Sequence, residues 1–185
     1  LPAVSQRQSI DARHRDGRRR VLWSKAEPYN ACAVFRSGRL LSMVGSVVSF
    51  ELDEGHDCES AAHPGARHTF AAFELNSGQA VSLYDYFDRA VVDDAVAANA
   101  YLKKTAHDDY ATSCVYSLSE FDKSFAFSDV RGGKVEVRVG LIHGCEVERG
   151  TVTEINLKLS ATKRLQRQVR SAGRARLLLK ALRAR

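Results

Sequence analysis

The chain has 185 residues, with 44% hydrophobic and 27% charged side chains, a composition that excludes a wholly disordered or fibrous chain and suits one medium globular domain. Its net charge of +6 is unevenly placed: residues 1–25 hold seven Arg/Lys against two Asp, residues 161–185 hold nine Arg/Lys and no acid, and the stretch between them carries about −8. No apolar run approaches the roughly 18 to 20 residues of a membrane-spanning helix, the nearest being residues 40–50, which include Ser and Gly.

Residues 1–20 lack apolar periodicity and end in Arg18-Arg19-Arg20, so the sequence predicts a basic N-terminal loop, frayed helix or tail ahead of a domain spanning 21–160. Residues 32–35 and 40–52 read as two strands joined by a turn at Ser37-Gly38, and 53–67 as a long polar loop. A strand over 69–75, a turn at Asn76-Ser77-Gly78 and a shorter strand over 80–83 follow. Then comes one aromatic turn, Tyr84-Asp85-Tyr86-Phe87. Phe87 and Tyr101 are expected in the core, Tyr84 and Tyr86 half exposed.

Residues 91–106 space Val92, Val96, Ala100 and Leu102 as one helical face, with Lys103-Lys104 in the last turn; this predicts a single long helix. Strands are expected over 114–118 and 124–130, with a turn at Arg131-Gly132-Gly133. Lys134-Val135-Glu136-Val137-Arg138-Val139 alternates with a period of two, the signature of a half-buried strand, and 151–159 repeats the pattern. Residues 161–185 place Leu165, Val169, Ala172, Leu179 and Leu182 near one face of a basic C-terminal helix or tail. The expected class is α+β: a mainly antiparallel sheet packed on one long central helix.

Cys32, Cys58, Cys114 and Cys145 are even in number and lack a C-x-x-C spacing, which disfavours a zinc ribbon or a thioredoxin-type pair. Two disulfides made in an oxidising compartment are the natural reading, against four buried thiols. Three connectivities are open; pairing within each half of the chain would join Cys32 to Cys58 and Cys114 to Cys145. No charged-then-apolar leader opens the sequence at Leu1, which suits a processed form or a chain that never carried a leader.

His56, Asp57, Cys58, Glu59, His63 and His68 crowd one stretch, but their spacing matches no recognised ligand set, and no metal or cofactor is expected. The nucleophile-elbow, zinc-protease and P-loop motifs are missing from the sequence. The aromatic turn has Asp neighbours rather than the Arg or Lys that nucleic acid requires.

The order of features from His63 to Phe87 resembles the RsiV-like domain of bacterial envelope proteins. There a Gly-x-His-Pro loop precedes a strand of the type "fdl-x-tGk", then "itL-x-dlF". Here the elements read Ala61-Ala62-His63-Pro64, Phe73-Glu74-Leu75-Asn76-Ser77-Gly78-Gln79 and Val81-Ser82-Leu83-Tyr84-Asp85-Tyr86-Phe87. Alanine stands where the family has the loop glycine, and Cys145-Glu146-Val147-Glu148-Arg149-Gly150 replaces its Pro-Tyr-Ala-Ala-Gly segment.

The resemblance spans about residues 30–160, with its specific part at 63–87. It implies a noncatalytic, periplasmic or secreted binding domain, like the ectodomain of a lysozyme-sensing anti-sigma factor, domains attached to peptidoglycan deacetylases and secreted antigens. The partner implied is a cell-envelope protein or glycan, lysozyme among the candidates. The residues singled out for binding are His63, Pro64, Tyr84, Asp85 and Tyr86. Two rival expectations are a metal-dependent enzyme acting on peptidoglycan or another glycan through loop 53–68, and nucleic-acid binding through 161–185.

Overall fold

The computed structural model describes residues 6–13, 16–27, 32–58, 65–105, 118–141 and 153–178. Among them, β1 (Gln6–Arg13) and β2 (Arg19–Glu27) form a hairpin, while β3 (Cys32–Val44), β4 (Val47–Cys58) and β5 (Gly65–Glu74) form an antiparallel meander. A second meander joins β6 (Phe125–Arg131), β7 (Lys134–Leu141) and β8 (Thr153–Ser160). The helices among the described residues are α1 (Arg89–Ala97), α2 (Ala100–Thr105) and α3 (Lys163–Arg174), with 3₁₀ turns at Leu83–Asp85 and Phe121–Lys123. The class is α+β with antiparallel sheets, as the sequence predicts.

Several boundaries differ from expectation. Residues 6–13 are a strand rather than a tail, paired with β2 from Gln6↔Glu27 to Arg13↔Arg19; the boundary drawn at residue 20 therefore falls inside β2. β3 runs straight through Ser37-Gly38, and the chain reverses instead at Gly45-Ser46, where Gly45 takes φ +61° at the first central position. That conformation is open to glycine and strained for other residues. Most of the expected polar loop is strand as well, because β4 extends to Cys58 and β5 begins at Gly65. This register sets Cys32 and Cys58 opposite each other. Beyond β5, Ala80 makes only an isolated bridge to Phe73.

The single long helix is interrupted. Asn99 accepts at Oδ1 from the backbone N–H of Tyr101 (3.0 Å) and of Leu102 (3.2 Å), capping a new helix where the old one ends. Its amide also donates to the carbonyl of Asn156 in β8 (3.3 Å). Tyr101, expected in the core, is 42% exposed, whereas Phe87 is buried. The C-terminal helix ends at Arg174, and the chain then turns back to β3, where Met43 N donates to Leu177 O at 2.8 Å. The strand expected over 114–118 falls outside the described residues except for Leu118, as do Cys114, Cys145, His63 and Pro64.

The core forms where the two meanders and the helices meet. One face of the second sheet carries Phe125 and Phe127, Val135, Val137 and Val139, and Ile155, Leu157 and Leu159, all fully or nearly fully buried. Val92 and Val96 of α1, Leu165, Val169 and Ala172 of α3, and Val44, Val47 and Ala72 of the first sheet join the same cluster. Each such side chain stabilises the fold by roughly 1.5–3 kcal/mol on burial, Ala less.

The opposite face of β7 is also covered, which the alternating sequence did not suggest. A side chain at Gly140 would meet the Phe70 ring of β5, and Arg138 is only 5% exposed. Arg138 grips Glu154 with two hydrogen bonds of 2.5 and 2.6 Å, and its guanidinium lies 5.2 Å from the centre of the Phe70 ring. The Arg39–Glu51 pair of the first sheet lies close enough that Glu51 adds to the negative potential around Arg138.

Candidate functional site

Three reversals of the chain converge on one cleft of about 360 Å³, lined by Val44, Ser46 and Val47, by Asp85 and Tyr86, by Phe127, and by Thr162, Arg164, Leu165 and Gln168. Each reversal is held by local hydrogen bonds. The β3–β4 turn is fixed by Leu75 N donating to Ser46 O (2.7 Å), and the Ser46 hydroxyl donates to Glu74. With Ser77 and Asn76 also donating to it, Glu74 is held below the usual glutamate range, the Ser46 bond being the largest cause and burial opposing it.

The aromatic turn is held by a reciprocal capping box. Ser82 Oγ accepts from Tyr84 N (3.1 Å), and Asp85 Oδ2 accepts from Ser82 N (2.8 Å). Ser82 Oγ in turn donates to Asp122 Oδ2 (2.6 Å). At the third reversal Thr162 Oγ1 accepts from Leu165 N (3.2 Å) and caps α3.

The floor is apolar and the rim polar. Val44, Val47, Phe127 and Leu165 are buried beneath it. The Tyr86 ring stands edge-on to Phe127 with centroids 5.8 Å apart, and tilted on Phe125 at 6.5 Å, arrangements that aromatic quadrupoles favour. Burial pushes the Tyr86 phenol up, and the charges of Asp85 and Glu74 push it further. The hydroxyl therefore stays protonated across the physiological range and remains available as a donor. Around it stand the Asp85 carboxylate as acceptor, the exposed Arg164 guanidinium as donor, and the Gln168 amide, which offers both.

Of the residues singled out from sequence, Asp85 and Tyr86 meet in this cleft. Tyr84 faces elsewhere. The Arg89 guanidinium lies 4.0 Å from the centre of its ring, Phe121 meets it edge-on at 6.3 Å, and its hydroxyl donates to Asp93 Oδ1 at 3.2 Å. Burial first, then the Asp93 charge, raises its phenol as well. Ser46, Arg164 and Gln168 were missed, although a Gly-Ser dipeptide between valine runs and a Thr three residues before Leu165 mark the two reversals that carry them.

A wider, open groove of about 700 Å³ lies at the tip of the β1–β2 hairpin, lined by Arg18, Arg19, Arg20, Val21 and Asn76. Two of its arginines are already committed, Arg18 to Asp16 (2.7 Å) and Arg19 to Asp11 (2.6 Å). No three His, Cys, Asp or Glu side chains among the described residues converge as a metal centre requires. No helix among them is long and apolar enough to cross a membrane. In comparisons with known proteins, no protein-family model and no curated protein matches this chain.

Proposed function

We propose that the chain is a noncatalytic, extracytoplasmic binding module of RsiV-like type that holds a cell-envelope glycan or protein in the cleft at Asp85 and Tyr86. The observation that carries this reading is the cleft itself. Two residues picked out by the family resemblance line an apolar floor ringed by both donors and acceptors, the composition of a small-ligand site. Its volume lies at the lower end of such sites, enough for one sugar ring with its substituents or for a peptide side chain and its neighbours. A hydroxyl-rich ligand would use the Asp85 carboxylate, the Tyr86 phenol and the Arg164 guanidinium together.

The acidic middle of the chain, at about −8, favours a basic protein such as lysozyme as one partner, because complementary charge speeds encounter and fixes orientation. Titration calorimetry against lysozyme and against soluble peptidoglycan saccharides, each at low and high salt, tests the proposal. A lysozyme partner gives heat that fades steeply with salt, whereas a saccharide gives heat nearly independent of it. Arg164→Gln and Tyr86→Phe keep the fold and remove one donor each, so each weakens the operative ligand about tenfold or more. Absence of heat from both ligands at low salt, or unchanged affinity in both variants, overturns the reading.

A further inference from the structure

Helix α3 presents two opposed stripes. Leu165, Val169 and Ala172 are buried against the core. On the reverse side, Lys163, Arg167, Arg170 and Arg174 are all exposed. At 100° per residue these four fall within an arc of roughly 60°, along a line of about 16 Å. None makes an ion pair among the described residues, and the only partner of any of them is the neutral Gln166, to which Arg170 donates at 3.4 Å. Elsewhere the same structure neutralises cations readily, as at Arg18, Arg19, Arg39, Lys123, Arg131 and Arg138. A row of four like charges left without counter-charges along one helix is a cost to folding that an external anionic surface would relieve.

We propose that this stripe is an electrostatic docking face for an anionic phospholipid surface. Cations confined to a narrow arc all touch one plane when the helix lies on it, which suits a flat array of headgroup phosphates. A duplex groove would instead meet the flanks of the helix. One flank carries Gln166 and Gly173, and the other Ser171 and Gln168, with Arg164 its single cation. α3 also has no aromatic side chain on which bases would stack. The apolar stripe is already used by the core, so contact is by charge alone: peripheral, reversible and abolished by salt.

Flotation of the full chain with vesicles tests this. Vesicles rich in phosphatidylglycerol are expected to carry the protein at low salt, and phosphatidylcholine vesicles to leave it free. The combined variant Lys163→Gln, Arg167→Gln, Arg170→Gln, Arg174→Gln lowers partitioning by about five-fold for each cation removed, several hundred-fold in all. Its melting temperature does not fall below that of the parent, since all four side chains face solvent and removing them relieves their mutual repulsion. Replacing the three arginines by lysine retains binding, and so does the pair Arg18→Gln, Arg20→Gln in the hairpin groove. Arg164 is untouched in every variant, so saccharide or lysozyme binding in the cleft is read independently. Equal flotation with neutral vesicles, flotation undiminished in the quadruple variant, or tighter binding to duplex DNA than to anionic vesicles at the same salt would each overturn the assignment.

Discussion

Replacing Glu154 by glutamine removes one charge from the grip that Arg138 makes between the sheets. Arg138 stays 5% exposed, so its guanidinium must remain charged in a place that water hardly reaches. Breaking a buried pair from one side costs about 3–5 kcal/mol. Two features reduce that figure here: the Glu154 side chain is 23% exposed, and Glu51 still supplies negative potential to Arg138. We therefore expect Glu154→Gln to cost about 2–3 kcal/mol, lowering the melting temperature of a chain this size by roughly 5–10 °C. Arg138→Met differs in kind. It fills the same space with an apolar stem over the Phe70 ring, and it leaves Glu154 partly hydrated, so its cost is expected to be below about 1.5 kcal/mol. The double variant should then lie nearer to Arg138→Met than to the sum of the two, with a coupling of about 1–2 kcal/mol. Urea unfolding followed by circular dichroism yields all three values. If Arg138→Met proves more damaging than Glu154→Gln, the orphaned-charge argument fails.

Three further outcomes follow from the geometry. Gly140→Ala would put a methyl carbon 2.8 Å from Ser124 Oγ and 3.3 Å from the Phe70 ring; displacing the hydroxyl that accepts from Phe70 N is expected to cost about 1–3 kcal/mol in a denaturant titration. Thr162→Ala removes the α3 cap and should lower stability by about 1 kcal/mol, with faster hydrogen exchange at the Leu165 amide. Glu74 has a folded pKa below its unfolded value, so its bonds stabilise the β3–β4 and Asn76–Gly78 turns fully above the unfolded value and lose that effect as pH falls through the folded one. Exchange protection at the Ser77 amide, measured from pH 6 down to pH 3, should decline in that window, and a pH-independent profile would contradict it.

The second sheet was largely legible because its signals are local. Gly132 and Gly133 both adopt positive φ, as a two-residue hairpin turn demands, and the Leu165, Val169, Ala172 spacing marks the face that α3 buries. The N-terminal hairpin was not legible, since Gln6–Arg13 has almost no apolar alternation and is a strand only through its pairing with β2. Asn99 shows why the long helix was overread: apolar spacing continues across it, but a side chain that bonds the following amides starts a second helix. Arg138 misled in the other direction, because period-two patterning reports one buried face and is blind to a second sheet closing over the polar one. In the cleft, Asp85 and Tyr86 were reachable through a contiguous motif. Ser46, Arg164 and Gln168 come from segments remote from it in sequence, and only folding brings them to the same rim.

The return of the chain after α3 has a consequence for solubility. β3 is an outermost strand of its meander, and unsatisfied amides along such a strand are a template for other molecules to add to. Leu177 and Leu178 occupy that template at Met43 and Ser42, so the polypeptide seals part of its own margin against accretion by its neighbours.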